Sequence, residues 1–180
     1  GGLLGGAQAR RAAEHHRRIA GADLDDAGAL KNFFAAIQEL NERGMLLAYH
    51  DRSDGGLLAT VAEMMFASGL GVSLQLEGAE RQILEQLSSP EAGAVVQVAK
   101  NKLTQVHLVL DRHGVNARAI GTVGGAPGLR VQRDGETALD LDRVTMQRRW
   151  AETSYKIKSL RDNPQCAKEE YDGLLDDNDP

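Results

Sequence analysis

Residues 50–56, with the sequence HDRSDGG, constrain the fold of this chain more than any other stretch. An apolar run, MLLAY at 45–49, precedes them, and apolar residues at helical spacing follow from Leu57 onward. This pattern predicts a turn that joins a buried strand to a helix. The start of a helix offers backbone N–H groups without intrahelical partners and a partial positive charge, so such a turn suits phosphate binding.

The side chains of this turn fit the same chemistry. Asp51 offers a carboxylate to a hard cation such as Mg²⁺, which commonly bridges carboxylate and phosphate oxygens. Ser53 offers a small hydroxyl group to a phosphate oxygen. Gly55 and Gly56 allow positive φ angles and a close approach of the backbone to a ligand.

A purely structural interpretation stands beside this one. Ser and Asp are favoured helix N-caps, and Gly is common in turns. A capped turn needs no ligand, so local composition alone leaves both interpretations open.

Composition bounds the class of protein. The 180 residues are 42% apolar and 26% charged, which is typical of a globular domain with a real core. The sequence contains no run of about 18 apolar residues and no secretory signal pattern, so we expect no membrane partner. The single cysteine, Cys166, cannot form an internal disulfide, which fits a cytoplasmic location.

The net charge of −5 is unevenly placed. Residues 162–180 hold seven acidic residues and one lysine, a net charge of −6, which leaves about +1 for the rest of the chain. Because nucleic-acid binding usually needs a basic face, we expect no nucleic-acid partner.

Strand and helix patterns alternate along the chain and then give way to a hairpin and a last helix. The sequence predicts a glycine-rich, poorly ordered start at 1–6, and the segment after 161 loses periodicity. The alternation predicts a mixed sheet packed by helices, an α+β fold (mixed α/β sandwich). The predicted strands are 45–49, 72–76, 94–98, 117–123, 129–132 and 137–141, and the predicted helices are 7–20, about 26–43, 57–68, 79–87, about 101–113 and 144–161.

Several residues are assigned structural roles. Glu63 is interpreted as a surface carboxylate and not as a ligand. The predicted helices at about 26–43 and at 144–161 each carry one apolar stripe that is expected to be buried. Trp150 is predicted to anchor the last helix. The glycines at 124–128 precede a strand rather than a helix, so they are not an anion site. The two stripes are Leu30, Phe33, Phe34, Ile37 and Leu40, and Met146, Trp150, Thr153, Ile157 and Leu160.

Residues 50–64, HDRSDGGLLATVAEM, closely resemble the second motif of this kind in the phosphoribosylformylglycinamidine synthase family. These are large single-chain enzymes of purine biosynthesis, also called FGAR amidotransferases. Residues 29–47, 93–98, 121–123 and 150–167 resemble the same family in the same order. The resemblance therefore extends over nearly the whole chain from about residue 25.

The resemblance implies a domain organisation. Residues 25–161 are similar to the C-terminal-type domain of the aminoimidazole ribonucleotide (AIR) synthetase superfamily, which pairs with a nucleotide-binding domain. Residues 1–24 would be an arm at the cut edge of that preceding domain, and residues 162–180 an acidic linker toward a glutaminase domain. The implied partners are the nucleotide and the rest of the same polypeptide.

The resemblance also implies an activity. The whole enzyme uses ATP and glutamine to amidate formylglycinamide ribonucleotide. In that enzyme the matching positions line a site that holds ADP or ATP in a structural role, with Asp51 as a Mg²⁺ ligand and Ser53 as a nucleotide contact. Asp54, Gly55 and Gly56 would shape the nucleotide-binding loop, and His50 would either orient Asp51 or pack.

No catalytic residue is predicted within this chain, and the chain is expected to be inactive alone. Two alternatives remain open. One is a stand-alone ATP-dependent enzyme of the same superfamily, such as a selenophosphate or aminoimidazole synthetase relative. The other is a non-catalytic interaction module that uses the acidic tail and the Arg-rich N-terminal segment.

Overall fold

A seven-stranded mixed sheet forms the centre of the fold. The computed structural model describes residues 2–6, 27–52, 54–89 and 93–176. The strand order in the sheet is β2-β4-β1-β5-β3-β6-β7. Among the described pairs, β3 and β6 run parallel and all the others run antiparallel. The strands are β1 (Gly2–Gly6), β2 (Leu46–Asp51), β3 (Val72–Leu76), β4 (Ala94–Val98), β5 (Arg118–Val123), β6 (Gly128–Arg133) and β7 (Glu136–Asp142).

Helices pack on both faces of this sheet at β4, and the mixed sheet packed by helices confirms the predicted α+β fold. A short 3₁₀ turn, Lys100–Lys102, leads into the fourth helix. Within the described residues, no helix has the length and apolar character needed to cross a membrane. The helices are α1 (Ala27–Glu42), α2 (Gly56–Ser68), α3 (Glu80–Ser88), α4 (Leu103–Arg112), α5 (Arg143–Arg161) and α6 (Pro164–Gly173).

Strand β4 separates two hydrophobic clusters. Val95 packs into the cluster that holds the buried residues of α2 and α3. Val96 and Val98 pack into the other cluster, with the buried residues of α1 and α4. Because both faces of β4 are covered, its sequence is nearly continuously apolar, as the prediction of a central strand required.

The turn predicted between β6 and β7 is confirmed in detail. Asp134 and Gly135 both have positive φ angles, 51° and 84°. Positive φ at both central residues is typical of the type I′ hairpin turn that an Asp-Gly pair favours. Each strand and helix from α1 to α5 lies close to the range predicted for it.

The start of the chain differs from the prediction. Residues 1–6 were predicted to be poorly ordered, but Gly2–Gly6 forms a strand that pairs with both β4 and β5. Glycine has a low intrinsic strand preference, so the strand depends on backbone pairing with two partners more than 85 residues away in sequence. The predicted helix at 7–20 lies outside the described residues, and the domain boundary near residue 24 stays a prediction.

The end of the chain also differs from the prediction. The segment after residue 161 was predicted to lack periodic structure, but Pro164–Gly173 forms helix α6. The Asn163 side chain accepts hydrogen bonds from two backbone N–H groups, and Pro164 occupies the first turn. An N-capping Asn followed by Pro is a recognised helix-start signal, so the sequence did contain this information.

Aromatic stacking holds α6 against α5. The rings of Tyr155 and Tyr171 stack with their centroids 4.4 Å apart. The guanidinium of Arg148 lies 4.1 Å from the centre of the Tyr171 ring, at a distance typical of a cation–π contact. The first half of the predicted acidic linker is therefore a packed helix.

The two predicted apolar stripes are only partly buried. Leu40 is fully buried on α1, whereas Leu30 and Phe34 are largely exposed. Helix α5 has no buried residue, and Trp150, Ile157 and Leu160 are exposed. On α5 the stripe makes contacts through Met146 and Trp150, whereas α6 packs on a different face, through Arg148 and Tyr155. Helical spacing could not show which face of the helix another element covers.

Candidate functional site

Residues 50–56 form the strand–turn–helix that the sequence predicted. Strand β2 ends at Asp51, Asp54 and Gly55 lie in a turn, and α2 begins at Gly56. Gly55 occupies the N-cap position of α2, so no Asp side chain caps this helix at that position. Ser53 lies outside the described residues, and its contact with a nucleotide stays a prediction.

The two glycines have the predicted backbone conformation. Gly55 has φ 91° and Gly56 has φ 66°, both in the region that side chains rarely adopt. A Cβ atom on Gly56 would lie 2.7 Å from the backbone oxygens of Leu87 and Ser89, at the end of α3. The demonstrated close neighbour of Gly56 is therefore α3, and direct contact of either glycine with a ligand stays a prediction.

Asp51 presents its carboxylate to solvent at the end of β2. Its side chain is 74% exposed. Tyr49, two residues earlier, shares the same face of the strand, and partial burial together with the charge of Asp51 raises the pKa of Tyr49. The proximity of Tyr49 to Asp51 was not predicted, although residues two apart on a strand lie on the same face.

Asp51 is a side chain of this turn that could bind a metal ion. Within the described ranges, no three His, Cys, Asp or Glu side chains converge in an arrangement that could hold one. Mg²⁺ is commonly bound through one or two carboxylates, together with waters and phosphate oxygens. The exposed Asp51 fits the role of one such ligand, and its role as a Mg²⁺ ligand stays a prediction.

Arg52 fastens the turn to the neighbouring part of the fold. Its backbone N–H donates to the carbonyl oxygen of Gly93 at 2.8 Å. Its Nη2 donates to the carbonyl oxygen of Ser89, also at 2.8 Å. No local pattern in the sequence indicates this role, because both partners lie about 40 residues away.

Glu63 connects three elements and is not the simple surface carboxylate that the sequence predicted. Its Oε2 lies 2.8 Å from Nε2 of His50, at the end of β2. Its Oε1 accepts a hydrogen bond from Nε1 of Trp150, on α5, at 3.0 Å. No residue spacing in the sequence signals this cluster, because α5 reaches α2 only through the tertiary fold.

The ring of His50 contacts the backbone of the next residue, Asp51. Its Nδ1 lies 2.7 Å from the carbonyl oxygen of Asp51. A carbonyl oxygen only accepts hydrogen bonds, so Nδ1 is the donor. The sequence left two roles open for His50, which were to orient Asp51 or to pack. The structure shows that His50 makes polar contacts with Asp51 and Glu63.

The glycines at 124–128 have a structural role. The N–H of Gly124 donates to the carbonyl oxygen of Gly71 at 2.8 Å. A Cβ atom on Gly71 would lie 2.1 Å from the carbonyl oxygen of Ala126, so this loop packs closely against the start of β3. As predicted, the loop leads into a strand, β6, and not into a helix.

Several solved structures of a Thermotoga maritima enzyme share this fold. PurL complexed with FGAR aligns with a TM-score of 0.66 at 18% identity, over 80% of this chain and 27% of that chain. The PurLQS structure aligns with a TM-score of 0.64 at 19% identity, over 78% and 24% of the two chains. PurL complexed with ADP gives a TM-score of 0.62 at 20% identity, with the same coverage.

These similarities show the fold of the chain and how much of each relative it covers. The chain spans about a quarter of the length of the proteins it matches. A family model described as AIR synthase related protein, C-terminal domain, matches residues 2–134, well over half of the chain. The sheet from β1 to β6 falls within that match, and the chain belongs to the family of AIR synthase related proteins, as a C-terminal domain.

Proposed function

We propose that this chain is one domain of a phosphoribosylformylglycinamidine synthase. The enzyme would use ATP and glutamine to amidate formylglycinamide ribonucleotide in purine biosynthesis. Family membership, the resemblance of residues 50–64 and the shared fold with PurL support this assignment. One of the PurL structures with this fold is a complex with FGAR and another is a complex with ADP.

Within that enzyme, the chain would contribute to a Mg²⁺–nucleotide site of structural character. The observation that carries this proposal is the turn after β2, where an exposed Asp51 precedes two glycines with positive φ at the start of α2. Asp51 would hold Mg²⁺, which would neutralise phosphate charge when bound. Ser53 and the start of α2 would face the phosphate groups, and Asp54, Gly55 and Gly56 would shape the nucleotide-binding loop.

The remaining parts of the site would come from the rest of the polypeptide. The turn offers the exposed carboxylates of Asp51 and Asp54, and a nucleotide-binding domain would supply further contacts. A glutaminase domain would supply ammonia. The chain alone is therefore expected to form no amidine product.

Calorimetric titration of Mg·ADP into this chain tests the site. We expect Asp51→Asn to remove the binding, because the amide keeps the shape of the side chain but loses its charge. Asp111→Asn is the matched control, since Asp111 is an exposed residue on α4. Repeating the titration with the full polypeptide shows whether the site is shared with another domain. If wild-type protein binds no nucleotide in either form, the turn is structural and the proposal is wrong.

A further inference from the structure

A continuous chain of polar contacts runs from helix α5 to the turn after β2. Trp150 Nε1 donates to Glu63 Oε1 at 3.0 Å, and Glu63 Oε2 lies 2.8 Å from His50 Nε2. The other ring nitrogen of His50 lies 2.7 Å from the backbone carbonyl of Asp51. Four groups on three elements are thus connected, and the last of them is the peptide that follows the proposed metal ligand.

Both carboxylate oxygens of Glu63 take part in this series of polar contacts. The carboxylate is about two-thirds shielded from solvent, and so is the ring of His50. Hydrogen bonds to a charged group contribute more than those between neutral groups, and a shielded carboxylate that lost a partner would be destabilised. The Glu63 side chain is therefore held firmly between β2 and α5.

Trp150 is a weakly buried residue with specific contacts. Its side chain is 61% exposed, yet its ring packs against Phe66 at a centroid distance of 5.9 Å, and its N–H reaches Glu63. Because α5 has no buried residue, contacts of this kind fix its position on α2. A change in the position of α5 would be transmitted directly to Glu63.

We propose that Glu63 is a positioning residue that couples the turn after β2 to helix α5. It holds the ring of His50, and His50 holds the carbonyl of Asp51, so the backbone that carries the Asp51 carboxylate depends on Glu63. Arg52 fastens the same turn to Ser89 and Gly93. Where a nucleotide binds this turn, as the proposed function requires, its binding and the position of α5 affect each other reciprocally.

Two substitutions remove polar contacts from this series and change the size of the side chain little. Trp150→Phe keeps an aromatic ring beside Phe66 but has no N–H donor. Glu63→Leu keeps a branched side chain of similar size but has no hydrogen-bond acceptor, so it loses the contacts with both Trp150 and His50. Leu160→Ala is the control, because Leu160 lies on the same helix and is 91% exposed.

The first test needs no ligand. In ¹H–¹⁵N spectra we expect Trp150→Phe and Glu63→Leu to shift the backbone amide signals of Asp51, Asp54 and Gly55. Leu160→Ala should leave these signals in place. Unchanged signals in the Trp150→Phe protein would overturn the coupling, whether or not the chain binds nucleotide.

The second test adds nucleotide and uses the single tryptophan as a reporter. The one indole N–H signal should move as Mg·ADP is added, along the same binding curve that calorimetry gives. In Glu63→Leu the affinity should fall by about 5-fold or more, in line with typical coupling between sites. An indole signal that stays fixed while nucleotide binds would refute the coupling. A wild-type protein that binds no nucleotide would count against the proposed function, and the first test would still decide the coupling.

Discussion

Gly56 shows how one residue serves both the turn and the packing of two helices. Its φ angle of 66° opens α2 directly after the turn, and its missing side chain allows the end of α3 to approach. The sequence predicted the backbone conformation from the Gly-Gly pair. It could not predict that α3 would be the neighbour, because α3 lies about 30 residues further along the chain.

We therefore expect Gly56→Ala to destabilise the fold by about 2–6 kcal/mol. A non-glycine residue at positive φ costs about 1–3 kcal/mol, and overpacking adds a similar amount. The free energy of unfolding from urea titration measures the effect. Gly44→Ala separates the two causes, because Gly44 also has a positive φ of 57° but has open space around it. Equal losses in the two variants would show that the contact with α3 does not matter.

At the scale of elements, charged side chains tie α1 to α4 where their apolar contacts end. Glu39 on α1 lies 2.8 Å from His113 Nε2, and it pairs with Arg112 at the end of α4. Arg43, one turn further along α1, adds a contact at 2.6 Å. These contacts, first that of His113 and then that of Arg112, hold the pKa of Glu39 below its ordinary value.

A depressed pKa determines the direction of the pH effect. The ionised Glu39 stabilises the fold at a pH above its unfolded pKa, close to the ordinary 4.5, and this contribution is lost as the pH falls through the lower folded pKa. We expect Glu39→Gln to lower the midpoint of urea unfolding at pH 7. The difference from wild type should shrink steadily below about pH 4.5.

Urea unfolding of both proteins between pH 3 and pH 7 provides the measurement. Glu80→Gln is a suitable control, because Glu80 is an exposed residue in the first turn of α3. A difference between Glu39→Gln and wild type that stays constant over the whole pH range would contradict the assignment.

At the scale of the whole molecule, the sheet depends on its first strand. Strand β1 lies between β4 and β5, so it joins the pair β2–β4 to the four strands on its other side. The proposed nucleotide turn follows β2, at the edge of the smaller part. The position of the turn relative to α3 and α5 therefore depends on a strand that the sequence suggested would be poorly ordered.

Deletion of residues 1–6 should remove cooperative folding. Without β1, both β4 and β5 lose a row of backbone hydrogen bonds, and unpaired buried backbone groups are strongly destabilising. Thermal unfolding followed by circular dichroism should show a broad transition or none. A chain that lacks only Gly1 is the control, and a sharp unfolding transition in the deletion protein would contradict the role given to β1.

Local patterns in the sequence determined the elements and the shape of the central turn. Hydrophobic periods of 2 and 3.6 placed β2 to β7 and α1 to α5, and the paired glycines indicated positive φ angles. The hairpin predicted between β6 and β7 is present as well. These features depend on residues that are neighbours in sequence. The same is true of the exposed Asp51, whose position at the end of a strand follows from the apolar run before it.

Only the tertiary structure decided which distant groups meet. The pairing of β1 with β4 and β5, the contact of Gly56 with α3 and the cluster of His50, Glu63 and Trp150 all join residues that are far apart in sequence. Burial of the predicted stripes on α1 and α5 was decided in the same way. The physical reason is that periodicity defines which face of an element is apolar, whereas only the packing of the whole chain defines what lies against that face.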